Sequence, residues 1–373
     1  MKPNCLIISY SNISSDPRIL RQIDALRDNY RIFTLSKDTI HPLKEDWTDI
    51  QIYPKFSIKR KIKRGFQFFF RFYVSYYFDS YKLFLIENYS NIDFKLIVAN
   101  DIMTLPLALK LAKVDTKIYF DAHEFHLSEY ADNLFWRLFH LPYIRFLCVN
   151  YIPKVNYFST VSERICDLYN EQIGIKPFLV SNSTTYCDLK VNEIGEKIKV
   201  IHHGACFRSR KLELMLEVAK LCQSRFQFDF MLVKSDENYY KELLKLSQDI
   251  PNVRFIDPVP FHKIPSTINS YDLGIYLLPP LNKNALLAMP NKLFEFVQSR
   301  LCVVVSPNPE MSKFVEGNSI GFVSEDFTPE SFACVLNSLT RDQIMSCKIN
   351  SDVLAKTENS EKNIQFLKEL LKP

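Results

Sequence analysis

Residues 288–306 carry the densest set of side chains that could do chemistry, and they read AMPNKLFEFVQSRLCVVVS. Pro290 suits the first position of a helix, where its missing N–H costs nothing. Asn291 and Lys292 lie four and three residues before Glu295, so all three can share one helix face. A helix N-terminus with a lysine in its first turn suits a phosphate or diphosphate, and a carboxylate one turn later can accept hydrogen bonds from sugar hydroxyls. An ordinary amphipathic helix with a Lys–Glu pair fits the same spacing.

A second cationic segment, HHGACFRSRK at residues 202–211, follows a short apolar run. A strand, a glycine turn and a cationic loop that opens a helix together form an anion site. Arg208, Arg210 and Lys211 could equally be surface charges. The paired histidines have no third ligand at helical or turn spacing, so we expect no metal site here.

In the first half of the chain, FDAHEFH at residues 120–126 ends an apolar run and presents titratable side chains after it. Ligands of open α/β folds bind at the carboxyl ends of strands, which favours a functional role. His123 could donate to a phosphate or hydroxyl, or act as a base, and the alternative is a structural histidine. Asp16 precedes Pro17 and is expected to cap a helix, which could be its whole role.

A basic and aromatic stretch interrupts the first half. Residues 55–64 read KFSIKRKIKR, with six positive charges and no acid, and nine aromatic residues follow within 66–78. Cations at anionic headgroups and rings buried at the interface would make a peripheral membrane surface. A core helix with a solvated basic face is the alternative, and nucleic-acid binding is disfavoured because no recognition module accompanies the patch. The candidate membrane contacts are Lys59, Arg60, Lys61, Lys63 and Arg64.

Composition limits the class of protein that must position these residues. Hydrophobic residues make up 47% and charged residues 24% of 373, which excludes wholesale disorder, and a net charge of +5 excludes a histone-like protein. Seven glycines make a Gly-rich phosphate loop unexpected. Nine scattered cysteines without a CxxC pair indicate free thiols in a reducing compartment. The N-terminus does not read as a signal peptide, and charged residues and a proline interrupt the apolar window 134–152, so we expect a cytoplasmic protein.

Short apolar runs alternate with helical patterns along the whole chain, as in βαβ units with a buried parallel sheet. The alternation stops in a polar stretch near 186–197 and then restarts. We therefore expect an α/β fold of two doubly wound, Rossmann-like domains, with ligands bound in the cleft between them. The predicted domains are residues 1–186 and 187–355, followed by a C-terminal helix in 356–373 that could pack back on the first domain.

Taken in order, these segments resemble the GT-B glycosyltransferases, specifically the retaining, family 4-like (group 1) enzymes of bacterial surface polysaccharides. The resemblance covers nearly the whole chain. Its segments are SDPRILRQ at 15–22, VANDIMTLP at 98–106, FDAHE at 120–124, STVSE at 159–163, VSN at 180–182, MPNKLFE at 289–295 and NPEM at 308–311. It implies two Rossmann-like domains facing each other across a cleft, with the acceptor on the N-terminal side and the nucleotide sugar on the C-terminal side.

The resemblance also implies roles for individual residues. Arg210 and Lys292 would be the cations that stabilise the leaving nucleoside diphosphate. Glu295 would hold the ribose, and His123 would lie beside the donor sugar and its phosphate. The remaining donor-site candidates are His203, Gly204 and Asn291, and those expected to face the donor or acceptor in the cleft are Asp16, Asp101, Asp121 and Glu124. Leu287 stands where the family has the first carboxylate of its Glu-x7-Glu motif.

These expectations describe a retaining, hexosyltransferase-type glycosyltransferase. It would move a sugar from a nucleotide diphosphate donor to a lipid-linked or growing polysaccharide acceptor, in capsule, O-antigen or related surface-glycan synthesis. No cofactor or metal ion is implied, and no nucleic acid partner. The protein would be cytoplasmic, with peripheral contact at the anionic inner face of the membrane. The alternatives are a nucleotide-sugar 2-epimerase and a non-catalytic GT-B scaffold of a glycan assembly complex.

Overall fold

The computed structural model describes residues 2–13, 16–36, 48–51, 58–128 and 133–373, and for 48–51 and 58–60 it describes the backbone alone. The chain forms two compact units: Met1–Ser181 with Ile364–Pro373, and Asn182–Asn363. The corresponding boundaries predicted from the sequence follow residues 186 and 355.

The first unit is built on a parallel sheet, and most of its strands are short apolar runs of the sequence. Among the described residues, the seven strands are β1 Asn4–Ile8, β2 Arg31–Ser36, β3 Thr48–Gln51, β4 Phe94–Asn100, β5 Lys117–Ala122, β6 Tyr157–Thr160 and β7 Phe178–Leu179. Their spatial order is β3-β2-β1-β4-β5-β6-β7. The core strands β1 and β4 are buried along almost their whole length, as expected of strands covered by helices on both faces.

Helices of the first unit connect these strands. They are α1 Pro17–Leu26, α2 Ile58–Phe69, α3 Tyr73–Tyr77, α4 Ser80–Tyr89, α5 Leu105–Leu111, α6 Leu141–Tyr151 and α7 Glu163–Ile173. As predicted, Asp16 caps α1: its side chain accepts hydrogen bonds from the backbone N–H of Arg18 and Ile19. Ser162 caps α7 in the same way, and Gly174 ends it in the left-handed region at φ 77°.

The second unit repeats the same plan. Its strands are β8 Ile198–Ala205, β9 Phe226–Val233, β10 Val253–Ile256, β11 Leu273–Tyr276, β12 Cys302–Val305 and β13 Gly321–Val323, in the order β10-β9-β8-β11-β12-β13. Its helices are α8 Glu213–Leu221, α9 Glu237–Leu246, α10 Ile264–Ile268, α11 Lys283–Leu286, α12 Asn291–Gln298, α13 Pro309–Gly317, α14 Pro329–Ser338 and α15 Arg341–Ala355.

The last helix, α16, spans Ser360–Leu370. Its second half belongs to the first unit, where Leu367 and Leu371 join the hydrophobic cluster of α1 and β1. The Tyr30 hydroxyl donates to the carbonyl of Leu371 at 2.8 Å. The end of the chain is therefore part of the first unit's core.

Both sheets confirm the predicted α/β, doubly wound class. Numbered within its own unit, the second sheet has the strand order 3-2-1-4-5-6, and the first has the same order with β7 added at one edge. The order reverses between β1 and β4 in the first unit and between β8 and β11 in the second. The carboxyl ends of these strand pairs are where open α/β sheets bind ligands.

Candidate functional site

The reversal point of the second sheet brings together the two cationic segments of the sequence. β8 ends with His203, Gly204 and Ala205, β11 ends at Tyr276, and α12 begins at Asn291. Pro290 occupies the N-cap position of α12, whereas the sequence suggested it as the first residue of the helix. Lys292 and Glu295 nevertheless lie on the helix as expected, and both are buried.

Lys292 is the centre of this arrangement. Its side chain is only 6% exposed, and its Nζ lies 3.8 Å from the centroid of the Tyr276 ring. The same atom is 3.3 Å from His202 Nε2. Gly204 lies against it, since a Cβ at Gly204 would be 3.4 Å from Lys292 Nζ and the backbone there has a φ of 131°. A side chain at residue 204 would therefore strain the backbone and press on the lysine.

The neighbours of Lys292 make its positive charge costly without a ligand. His202 Nδ1 lies 3.0 Å from the Ile275 carbonyl, to which it donates, so Nε2 is left to accept from Lys292. Burial lowers the pKa of Lys292 well below its ordinary value, and the nearby Arg210 guanidinium lowers it further, against the opposing effect of Glu295. Burial and Lys292 likewise hold the pKa of His202 far below its ordinary value. An anion at this point would supply the charge that the site lacks.

Arg210 is the second cation of the site. Its Nη1 donates to the Tyr276 hydroxyl at 2.9 Å, so Arg210 and Lys292 both contact the same tyrosine side chain. The neighbouring Arg208 instead pairs with Glu242 at 2.6 Å, and both of these side chains are about half exposed. The residue pattern left the choice among the cations of this loop open and the family resemblance implied Arg210, which is the one that shares Tyr276 with Lys292 in the structure.

Three further candidate residues surround this pair. His203 Nε2 lies 3.4 Å from Glu295 Oε2, and burial together with Lys292 lowers the pKa of His203 to about 3. Neither His203 Nε2 nor the buried Oδ1 of Asn291 makes a hydrogen bond to any part of the chain that the structure describes. Buried polar atoms without a partner are rare in native proteins, and a bound ligand is one way of satisfying them.

Tyr276 is a site residue that the sequence analysis missed, because a lone tyrosine at the end of an apolar strand gives no chemical signal. It holds Arg210 by its hydroxyl and Lys292 by its ring. We expect Tyr276→Phe to release Arg210 alone, and so to weaken binding of a nucleoside diphosphate, the ligand expected from the sequence, by roughly tenfold or more, the worth of one hydrogen bond to a charged group. Tyr276→Leu removes both contacts and is expected to weaken binding further. Isothermal titration of both variants checks this, and equal affinities in Phe and Leu variants would contradict it.

Hydrogen bonds from the Asn308 side chain hold the loop that precedes α12. This buried side chain donates to the carbonyls of Leu278 and Ala285, at 3.3 and 3.0 Å, and accepts from Ser306. Leu287 lies between α11 and α12 and is 5% exposed. The position at which the resembled family has a carboxylate is thus a packed apolar side chain in this chain.

A second polar cluster forms at the reversal point of the first sheet, around Asp121. Its carboxylate is buried and accepts two hydrogen bonds from the Arg18 guanidinium, both 2.6 Å long. Gln22 and Ser159 also donate to it, at 2.7 and 2.5 Å. Burial alone would raise the pKa of Asp121, but Arg18 and His123 hold it well below the usual range. Asp121 is therefore an ionised anchor whose oxygens are already occupied.

His123 is the partly exposed member of this cluster. Its Nε2 lies 3.3 Å from Asn100 Oδ1 and 3.6 Å from Asp121 Oδ2, and its Nδ1 lies 3.7 Å from Asp101 Oδ2. Burial opposes its charge, but the carboxylates of Asp101 and Asp121 outweigh burial and raise its pKa to about 9. A protonated imidazole in this position can donate to an anionic or hydroxyl oxygen.

The remaining candidates of the first unit differ in their surroundings. Asp16 is engaged as the cap of α1 and also accepts from Ser11 at 2.8 Å. Asp101 is partly exposed and adopts a left-handed φ of 65°, which is uncommon for a residue other than glycine. Glu124 is exposed, and its backbone carbonyl accepts from the Tyr169 hydroxyl at 2.9 Å. Arg18 and Gln22 were missed as partners of Asp121, although their four-residue spacing on a capped helix was a usable signal.

The raised pKa of His123 makes stability depend on pH. Because the folded pKa of about 9 exceeds the ordinary 6.5, the charged histidine stabilises the fold fully below pH 6.5, and this is lost as pH rises through 9. We expect the free energy of unfolding to fall by roughly 1–3 kcal/mol more in the wild type than in His123→Gln between pH 6.5 and 9.5. Urea denaturation across this range measures the difference. Parallel curves for the two proteins would contradict the assignment.

The candidate membrane residues of α2 fall into three groups. Lys59 and Arg60 lie in the helix, with nothing described of their side chains, and residues 55–57 of the basic stretch lie outside the described residues. Lys61 and Lys63 are exposed. Arg64 is engaged within the protein, since it pairs with Asp79 at 2.6 Å and lies over the Tyr76 ring.

Within the described ranges, no three His, Cys, Asp or Glu side chains are grouped so that they could hold a metal ion. None of the helices in the part of the chain that the structure describes is long and apolar enough to cross a bilayer.

Comparison with known proteins places the fold among the GT-B glycosyltransferases. Anabaena HepE in complex with UDP-glucose matches with a TM-score of 0.72 at 12% identity, over 99% of each chain. A glycosyltransferase from Rickettsia africae matches with a TM-score of 0.67 at 12% identity, over 100% of this chain and 99% of that one. The α,α-trehalose 6-phosphate synthase of Burkholderia multivorans matches at 0.66 and 11% identity, over 99% and 97%. No protein-family model and no curated protein matches the sequence. At these identities the likeness establishes the fold.

Proposed function

We propose that the protein is a glycosyltransferase that uses a nucleotide diphosphate sugar as donor. The observation that carries the proposal is the convergence of Arg210 and Lys292 on Tyr276, at the carboxyl ends of β8 and β11. Two cations held this close repel each other, and a diphosphate bound between them would neutralise both. In keeping with this, the matched GT-B structures include complexes with UDP and UDP-glucose.

The assigned roles follow from where each side chain lies. Arg210 and Lys292 would bind the diphosphate and stabilise the negative charge that develops on it as the sugar leaves. Gly204 has no side chain and would leave room for the phosphate beside Lys292. Glu295 would accept hydrogen bonds from the ribose. Asn291 and His203 carry buried polar atoms that would contact the nucleotide or sugar.

The first unit would contribute the acceptor side of the reaction. We propose that His123 donates a hydrogen bond to the donor sugar or its phosphate, and that Asp101 and Glu124 contact the donor or acceptor. Asp16 and Asp121 would act indirectly, because the first caps α1 and the second holds Arg18, Gln22 and Ser159. Transfer would retain the anomeric configuration by attack on the face that the leaving group vacates, without a metal ion or other cofactor.

The acceptor would be lipid-linked or a growing polysaccharide, in the synthesis of capsule, O-antigen or a related surface glycan. The basic side chains of α2, Lys61 and Lys63 among them, would hold the protein at the cytoplasmic face of the membrane, where such acceptors are elongated. Arg64 is excluded from this role by its pairing with Asp79.

Thermal denaturation with UDP, GDP, TDP, ADP and CMP tests the donor half of the proposal, because a ligand that binds the native state raises the melting temperature by mass action. We expect one nucleoside diphosphate to give a shift that Lys292→Ala abolishes. The matching nucleotide sugar is then incubated with and without acceptor. Release of the nucleoside diphosphate with sugar transfer supports the proposal. Interconversion of free nucleotide sugars would indicate a 2-epimerase, and the absence of any shift at millimolar concentration would indicate a scaffold.

A further inference from the structure

Two segments that lie far apart in sequence form one exposed row of aromatic rings on the first unit. Phe66 and Phe70 are 4.3 Å apart between ring centroids, and Phe70 and Phe69 are 5.3 Å apart. Phe69 stacks on Phe139 at 6.3 Å, and Phe139 contacts Phe135 at 4.7 Å. We call these five rings the aromatic surface. They join the end of α2 (the first segment, residues 66–70) to the residues just before α6 (the second segment, residues 134–139).

The aromatic surface faces solvent where a monomeric protein would ordinarily bury such side chains. Phe69 and Phe135 are 64% and 62% exposed. The aliphatic neighbours Leu134 and Leu138, from the second segment, are exposed to a similar extent. Large contiguous apolar patches on a soluble protein mark an interaction site. The inner side of the same segments is packed, since Phe68 contacts Tyr143 and His140, so the exposed rings are carried on a fixed base.

The charged residues within the two ranges that carry these rings are all basic. Residues 58–78 contain six Lys or Arg residues and no Asp or Glu, and residues 133–162 contain three Lys or Arg residues and no Asp or Glu. Lys61, Lys63, Arg71 and Arg137 are exposed beside the apolar side chains. A basic border around exposed aromatic rings is complementary to anionic headgroups above an acyl-chain boundary.

We propose that the aromatic surface binds an anionic lipid bilayer, with its rings inserted into the headgroup–acyl boundary and the surrounding cations at the headgroups. The window at 134–152 is too interrupted to cross a membrane, and its first residues instead complete a surface that lies on one. A second copy of this chain is a poor occupant, because a symmetric contact would bring two basic borders together. The inference rests on the membrane contact of the proposed function, to which it adds the aromatic rings and the second segment, and it is independent of the donor site.

Vesicle binding with an internal fluorophore tests this proposal. The chain has two tryptophans, and Trp47→Phe leaves Trp136, which lies within the second segment, as the reporter. We expect a blue shift of Trp136 emission and co-sedimentation with vesicles of phosphatidylcholine and phosphatidylglycerol at 7:3, and much weaker binding to phosphatidylcholine alone. Lipids brominated along the acyl chain should quench Trp136.

Substitutions separate the contribution of the aromatic rings to vesicle binding from that of the basic side chains. Phe69→Ser with Phe135→Ser is expected to reduce partitioning at least tenfold, since two large apolar side chains no longer enter the interface. Lys63→Gln with Arg137→Gln is expected to reduce binding to the anionic vesicles by roughly 25-fold, at about fivefold for each cation. The matched control is Ile349→Ser with Val353→Ser, which removes two exposed apolar side chains of α15 in the second unit.

Two outcomes would overturn the proposal. One is a wild-type protein that does not partition into the anionic vesicles. The other is equal partitioning of the wild type and the Phe69/Phe135 variant. Self-association that is lost in that variant, without vesicle binding, would likewise assign the surface to a second copy. The melting shift with nucleoside diphosphate is measured in the same variants, so loss of membrane binding is distinguishable from failure of the donor site.

Discussion

Lys292→Met is expected to lower the rate of sugar transfer on the order of 10²-fold, the loss measured when one preorganised electrostatic donor is removed from an active site. Lys292 Nζ is held over the Tyr276 ring and beside His202 Nε2, with Arg210 bound to the same tyrosine. Methionine keeps most of the side-chain volume and removes the charge. The expected loss is therefore in binding and stabilising the diphosphate, measured as kcat, KM and diphosphate affinity.

The same variant is expected to leave the folded protein at least as stable as the wild type. Burial lowers the pKa of Lys292 well below its ordinary value, which means that its charge costs free energy in the ligand-free fold. Thermal denaturation of the ligand-free proteins measures this. A functional loss accompanied by a higher melting temperature would identify a residue whose charge serves a ligand and not the fold.

Arg208→Ala is the matched control for Arg210→Ala. The two arginines lie in the same short loop, but Arg208 pairs with Glu242 on the surface whereas Arg210 binds Tyr276. Arg210→Ala is expected to reduce turnover on the order of 10²-fold and Arg208→Ala less than about threefold. Wild-type rates from both Lys292→Met and Arg210→Ala would refute the assignment of the site.

Asp121→Asn is expected to destabilise the first unit by about 3–5 kcal/mol, because it leaves the buried Arg18 guanidinium without a counter-charge. Arg18 and Asp121 are 6% and 1% exposed, and the carboxylate accepts hydrogen bonds from three side chains besides its ion-pair contacts with His123. Asparagine has the same shape but no charge, and it offers only one acceptor oxygen. Urea denaturation of the first unit's transition measures the loss.

Two comparisons make this prediction specific. Asp24→Asn removes a surface pair with Arg27 in which both side chains are about half exposed, and it is expected to cost less than about 1 kcal/mol. Arg18→Met combined with Asp121→Asn removes both charges, and it should recover a large part of the lost stability. A single Asp121→Asn variant as stable as the wild type would show that Asp121 is free for a ligand, which would reverse its assignment as an anchor.

The fold could be predicted from the sequence because its strands are short apolar runs with few competing interpretations. Val98 and Ala99 in β4 and Val303 and Val304 in β12 lie in short apolar runs, which a βαβ series favours as buried strands. Strands and helices at the margins were missed. β3 at Thr48–Gln51 is polar, and α15 at Arg341–Ala355 has a mixed face, so neither shows the periodicity on which sequence interpretation depends.

The candidate site was predicted in part. The spacing of Lys292 and Glu295 and the Gly204 turn pointed to residues that lie together in the structure, because a helix face and a strand end are local features. Tyr276 and His202 contact Lys292 only through the pairing of β8 with β11, which no local pattern encodes. The family resemblance selected Arg210, but the contacts that distinguish it from Arg208, like the engagement of Asp121 by Arg18, are tertiary.

Calorimetric titration with the nucleoside diphosphate that stabilises the protein, and with its monophosphate, is the sharpest test of the proposed diphosphate site. We expect the wild type and Arg208→Ala to bind the diphosphate more tightly than the monophosphate. Lys292→Met and Arg210→Ala should lose most of that difference, because both cations bind the diphosphate. Equal affinity of the wild type for the two nucleotides, or an unchanged preference in Lys292→Met, would show that these cations do not form a diphosphate site.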